Sequence, residues 1–182
     1  YDKIQEIVDR VVVGEEVAQI GPPGYLSTSA EARVSLTPPH YRYLKISEGC
    51  DHTCSFCVIP SFRGKHRSRP LNDVVLEAER LVGEGAREII LTGQDTTFFG
   101  YDTTGRLLLP ELLRELNQIE DLHWIRLLYA YPSLVNDALI EAIASLEKVC
   151  PYLDLPLQHV SDRVLKSMRR GITKQKTIDI VN

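Results

Sequence analysis

From residue 41 onward, strand-like and helix-like stretches alternate, and that alternation restricts the fold more than any other property of the chain. Residues 41–46 read as a strand, residues 88–92 carry Ile89-Ile90-Leu91, a run typical of a strand buried on both faces, and residues 124–129 and 152–155 supply two more. Helices fall between them. One is capped by Asn72 or Asp73 and runs to about Val82, with Val75, Ala78, Leu81 and Val82 on its apolar side and Gly83 and Gly85 as its stop. Others cover residues 110–119, after a long loop over 93–106, and residues 137–146. Ser161 caps a fourth that runs through Arg169 and closes at Gly171, and residues 173–182 open another. The pattern predicts an α/β fold, a parallel sheet with right-handed helical crossovers, whose site lies beyond the carboxyl ends of the strands. The loop after residue 46, Gly93-Gln94-Asp95, Tyr129-Ala130-Tyr131-Pro132 and Leu157-Gln158-His159 all fall at that rim.

The first of those loops contains Cys50, Cys54 and Cys57 within eight residues. Three thiolates can hold three irons of a 4Fe-4S cube and leave the last iron open to an outside ligand. The same cysteines with His52 or His66 also form a Cys3His zinc set, although only the Cys54–Cys57 pair has the spacing of a zinc knuckle. A disulfide framework fits poorly. The clustered cysteines are odd in number, and 182 residues with 43% hydrophobic composition can build a core without staples. Cys150, ahead of Pro151, reads as a buried small hydrophobe.

Charged residues make up 25% of the chain and its formal net charge is −4, which gives a dedicated nucleic-acid domain no support. Arg63, Lys65, His66, Arg67 and Arg69 form a local basic run, either a solvated loop or a contact for phosphate, an acidic partner or a cofactor carboxylate. With no signal-like or membrane-length apolar run, a cytoplasmic location without membrane contact is the expectation. Ile4, Ile7, Val8 and Val11 mark an opening amphipathic helix, and residues 14–40 lose periodicity among Gly, Pro and Ser. The organisation read from this is a tail helix of a preceding domain (1–13), a linker (14–40) and an incomplete core (41–182).

The Cys-x3-Cys-x2-Cys loop, with Phe56 before its last cysteine, resembles the radical S-adenosylmethionine enzymes. The segments Leu44-Lys45-Ile46-Ser47-Glu48-Gly49-Cys50, Leu91-Thr92-Gly93-Gln94-Asp95-Thr96 and Leu153-Asp154-Leu155-Pro156-Leu157-Gln158-His159, with the stretch 161–171, extend the resemblance to the methylthiotransferases of that superfamily, over residues 41–172. The resemblance implies a partial (β/α) radical S-adenosylmethionine barrel, truncated after about four βα units, since so few strands cannot close a barrel. It implies that Cys50, Cys54 and Cys57 bind a 4Fe-4S cluster. The open iron takes the amino and carboxylate groups of S-adenosylmethionine, and the reduced cluster breaks the sulfonium bond to give a 5′-deoxyadenosyl radical.

Phe56 would lie against the adenine or cover the cluster as a core aromatic, and Gly93, Gln94, Asp95, Tyr129, Gln158 and His159 would contact cofactor or substrate. An ordinary turn accounts for Gly93-Gln94-Asp95 equally well, and a lone histidine such as His159 is more simply a structural hydrogen-bonder. Arg169 or Arg170 would pair with the methionine carboxylate or merely complement a helix end. No catalytic residue is assigned beyond the cluster. The rim motifs look like the branch that modifies an aspartate of a small-subunit ribosomal protein. The alternatives are the branch that modifies a tRNA adenosine and a non-catalytic metal-stabilised module. The family's partners would be that ribosomal protein and an external electron donor. Its second 4Fe-4S cluster would sit in an amino-terminal domain, whose three cysteines are absent here. The chain alone is therefore expected to cleave S-adenosylmethionine weakly at best and not to complete the transfer.

Overall fold

A computed structural model describes residues 3–182. In chain order the elements are α1 (Ile4–Val12), β1 (Tyr41–Lys45), β2 (Ser47–Glu48), α2 (Ile59–Arg63), β3 (Arg67–Ser68), α3 (Leu71–Gly83), β4 (Glu88–Thr92), α4 (Tyr101–Thr104), α5 (Leu109–Asn117), β5 (Trp124–Leu127), a 3-10 turn (Pro132–Leu134), α6 (Asp137–Ser145), β6 (Val149–Leu153), α7 (Asp162–Ser167) and α8 (Lys174–Val181). The main sheet runs β1-β4-β5-β6, all parallel, each new strand joining the edge left by the one before it. That singly wound order is the order of a barrel segment, because a doubly wound sheet reverses direction partway. β2 and β3 form a separate antiparallel pair beside the cysteine loop.

Register explains the core. Arg42, Ile89, Ile125 and Val149 stand side by side across the sheet, and so do Leu44, Leu91, Leu127 and Leu153. These two rows face the helices, where Val74, Ala78, Leu81, Leu112, Leu113, Leu116, Leu139 and Ala142 close over them. Arg42 ends its row by donating to the carbonyls of Pro38 (2.6 Å) and Tyr41 (2.9 Å) at the outer edge of β1. The opposite sheet face carries half-exposed Tyr43, Trp124 and Tyr152 and the Arg126–Glu88 ion pair (2.6 Å), whose hydrogen bond raises the arginine pKa further.

Several boundaries differ from the sequence reading. β1 ends at Lys45 and β5 at Leu127, where the chain turns away. β6 begins at Val149 rather than residue 152: Pro151 lacks a donor, but β6 lies at the sheet edge, where proline is tolerated. Cys150 therefore lies in a strand and is only partly buried, though burial still raises its thiol pKa. α3 starts at Leu71 after Pro70, and neither Asn72 nor Asp73 caps it. Ser161 likewise makes no side-chain cap; α7 stops at Ser167, and Arg169 (φ 54°), not Gly171, makes the left-handed turn. α1 forms as read, but none of its residues is buried.

Residues 14–40 contain no helix or strand, yet they grip the core. Ser29 N–H donates to Asp73 (3.0 Å), and Arg33 pairs with Glu77 (2.6 Å) and donates to the Tyr43 carbonyl (2.8 Å). Arg69, almost fully buried, joins Asp73 (2.5 Å) to Glu77 (2.6 Å). The basic run is thus not simply a solvated loop, since Arg69 and His66 are interior.

Burial alone would raise the Asp73 pKa, but the bonds from Ser29 and Arg69 outweigh it and hold the value below the ordinary 3.8. A depressed carboxylate pKa gives stability that is complete above 3.8 and is lost as pH falls through the folded-state value. Asp73→Asn is expected to cost about 1–2 kcal/mol at pH 7. Urea unfolding at stepwise lower pH should show the gap from the parent shrinking below the ordinary carboxylate range. Leu91→Ala, in the middle of an inward row, is expected to cost about 2–5 kcal/mol in the same assay at pH 7.

Candidate functional site

The cysteine loop begins at Gly49, which takes φ 82° and lies so close to the Lys65 carbonyl that a Cβ would sit 2.1 Å from its oxygen. Only glycine meets both demands. The Gly49 N–H donates to Gln94 Oε1 (2.7 Å), Cys50 N–H to the Gly64 carbonyl (3.1 Å), and His66 N–H to Asp51 Oδ1 (2.9 Å). Further along, Ser55 donates from N–H and hydroxyl to the Met168 and Ser167 carbonyls (both 3.0 Å) at the end of α7. The loop is thereby tied to its neighbours at both ends.

Its middle is held from the other strand ends. His52 Nε2 lies 2.7 Å from Asp95 Oδ2, and its ring stacks on Tyr131 at 3.5 Å between centroids. Asp95 is almost fully buried; its other oxygen accepts from the Thr97 N–H (3.0 Å) and hydroxyl. Thr97 Oγ1 in turn accepts from Tyr131 N–H (3.1 Å). Arg170 lies 4.1 Å from the Tyr131 ring centroid and donates to Cys54 Sγ (3.5 Å) and the Pro156 carbonyl (2.8 Å). Burial raises the Tyr131 pKa, against the opposing pull of Arg170 and of the Gly171 N–H on its oxygen.

The three cysteines line a cleft of about 620 Å³ together with His52, Lys65 and Arg169. Cys50 and Cys54 are buried and Cys57 is partly so; all are free thiols. Burial drives the Cys50 pKa up to about 11, helped by the negative charges of Asp95, Cys54 and Cys57 and opposed by the His52 N–H. A metal that takes this thiolate must supply enough positive charge to displace the proton. Among the described residues, no three His, Cys, Asp or Glu side chains gather tightly enough for a single metal ion. His66, one candidate for a zinc set, turns inward to Ser68 Oγ (3.1 Å), and burial lowers its pKa. His52, the other, is engaged with Asp95. Soft thiolate donors spread along one loop fit a cluster, whose thiolates bind separate irons.

The other sequence-predicted residues divide into two groups. Gln94 and Asp95 support the cysteine loop, and Gly93 packs against Ser47 Oγ, where a Cβ would come to 2.6 Å. Their polar atoms thus serve the loop itself. Tyr129, Gln158 and His159 stand exposed on the rim, with Tyr129 (φ 59°) and Gln158 (φ 69°) in left-handed backbone. His159 Nδ1 accepts from Ser161 N–H (2.9 Å), a structural use. Phe56 is 52% exposed beside the cleft and covers no core. His52 entered the sequence reading only as a zinc candidate and Tyr131 only within a motif. Neither residue type announces a stacked pair, and only the spatial meeting of two loops creates one.

Residues 44–182 match the radical SAM superfamily. The chain is 46% identical over its whole length to ribosomal protein uS12 methylthiotransferase RimO of Caldanaerobacter subterraneus subsp. tengcongensis, covering 42% of that protein. It is 53% identical over 149 residues, 82% of the chain, to RimO of Chloroherpeton thalassium, covering 34% of it. The chain thus spans about two fifths of the length of the curated relatives it matches. Among solved structures it resembles the radical S-adenosylmethionine methyltransferase TsrM of Kitasatospora setae, with TM-score 0.62 and 19% identity over 82% of this chain and 31% of that one. The cobalamin-dependent radical enzyme OxsB gives TM-score 0.59 and 14% identity over 76% and 21%. At such identities the likeness is one of fold.

Gly49→Ala is expected to destabilise the chain by more than about 1 kcal/mol from its backbone angle alone, before the clash is counted. Iron uptake on anaerobic reconstitution should fall with it. Gly83→Ala, at an exposed position on α3 with nothing within 4 Å, should leave both unchanged or gain about 0.5–1 kcal/mol.

Proposed function

The chain belongs to the radical SAM superfamily, and on that premise we propose that it forms part of a methylthiotransferase acting on an aspartate of ribosomal protein uS12. The observation that carries this reading is 46% identity to a RimO protein across all 182 residues, cysteine loop and rim included. Cys50, Cys54 and Cys57 would hold a 4Fe-4S cluster in their cleft, with S-adenosylmethionine beside it. When bound, these groups supply an electron and a cleavable sulfonium.

The protein's own residues hold and shield. Gly49, Gln94 and the His52–Asp95 pair fix the loop that presents the thiolates, so the donors are positioned before any cofactor arrives. In this reading the exposed ring of Phe56 would cover an adenine, and Arg169, which lines the cleft, would meet a carboxylate. Tyr129, Gln158 and His159 form the rim that a substrate would cross. Residues 41–182 constitute the core in this reading, residues 14–40 bind along its side, and α1 belongs with whatever packs on its apolar stripe. An external reductant and a second cluster held elsewhere in the full-length enzyme complete the reaction.

Anaerobic reconstitution followed by electron paramagnetic resonance tests the site. A four-iron signal that changes on adding S-adenosylmethionine is expected, and Cys54→Ala should abolish it. A signal indifferent to the cofactor, or zinc in place of iron, would leave a structural metal module. Mass spectrometry of uS12 and of tRNA incubated with the full-length enzyme then identifies the substrate; methylthio product on tRNA alone would refute the uS12 assignment.

A further inference from the structure

Arg170 is 92% buried, with only 8% of its surface exposed, and among the described residues no carboxylate pairs with it. Its Nε has no partner, one Nη reaches the Pro156 carbonyl, and the other points at Cys54 Sγ. The contrast with Arg69 is direct, since that equally buried guanidinium has Asp73 and Glu77. A guanidinium stays charged at any accessible pH, and an uncompensated buried charge is strongly destabilising. The Tyr131 ring offsets part of that cost but brings no countercharge. Among the described residues, the group that its free Nη already points at is the sulfur of Cys54, which becomes an anion once it is a thiolate bound to metal.

We propose that Arg170 is the counter-ion of the metal cluster, a positioning residue whose N–H···S bond to Cys54 sets the cluster's reduction potential. The inference rests on the cluster reading above and adds a role for a residue outside the cysteine loop. Reduction brings one electron from an external donor onto the cluster, with no bond made or broken, and makes it more negative. A fixed positive charge and a donor aimed at a ligand sulfur both favour that reduced state. Arg170 also stacks on Tyr131, which stacks on His52. The charge that favours reduction is therefore held in place by the same ring that steadies the loop.

The test uses the reconstituted chain, poised with dithionite at a series of potentials and read by electron paramagnetic resonance. Arg170→Gln is expected to lower the reduced-to-oxidised ratio at a given potential at least tenfold, a midpoint about 59 mV more negative for a one-electron couple. Arg170→Lys, which keeps the charge, should shift it less. A four-iron signal in Arg170→Gln with the parent's midpoint would overturn the proposal while leaving the cluster reading intact. No cluster in the parent chain would overturn both. If Arg170→Gln takes up no iron, thermal unfolding of the metal-free proteins decides. A counter-ion role predicts that metal-free Arg170→Met melts at or above the parent, because a stranded charge has gone. A lower melting temperature would make Arg170 a packing residue and end the proposal.

Discussion

Parallel pairing in sequence order is the constraint on which everything else rests. Because β1, β4, β5 and β6 all point the same way, every segment leaving a strand leaves at one rim. Loops separated by forty to more than a hundred residues in sequence then become neighbours without long excursions. His52 meets Asp95, and Ser55 meets the end of α7, only because of that geometry. The cysteine loop has little structure of its own. Its shape comes from partners at the ends of β4 and β5, at the end of α7 and in residues 64–66, so the sheet positions the thiolates as much as the loop does.

A second interior network ties the irregular segment before β1 to the sheet. Arg33, Arg69, Asp73 and Glu77 exchange ion pairs beneath residues 29–33, where a helix would ordinarily bury only apolar side chains. Removing Arg69 or Glu77 would strand the other in a poorly hydrated space, whereas Arg33 and Asp73 keep access to water. Arg69 also donates to the Lys45 carbonyl (2.9 Å) at the end of β1, just ahead of the cysteine loop. The same guanidinium therefore links the flanking segment and the strand that delivers the cysteines.

The strands and helices were legible in the sequence because their apolar periods are strong, as in Ile89-Ile90-Leu91 and the spacing of Ala78, Leu81 and Val82, although the valine that α3 buries fully is Val74 rather than the expected Val75. Their ends were not. Asp73 and Ser161 look like caps, but Asp73 is drawn to Arg69 and Ser29, and Ser161 makes no cap at all. The fourth strand was expected from residue 152, but β6 begins at Val149 and includes Pro151, because an edge strand does not need its missing donor. At the site, three close cysteines on a strand-end loop could be read directly. Their supports could not, since Asp95 and Gln94 are defined by partners more than forty residues away. The stacking of His52, Tyr131 and Arg170 leaves no local signature in any one segment.

Tyr129, Gln158 and Arg169 hold left-handed backbone that glycine would adopt freely, at a cost of roughly 1–2 kcal/mol each. All three lie on the rim or the cleft. Glycine at any of them would relieve that strain, but it would also remove the phenol, the amide or the guanidinium that faces the rim or the cleft. The rim is thus a place where attempts to make the protein hardier would erode what it does.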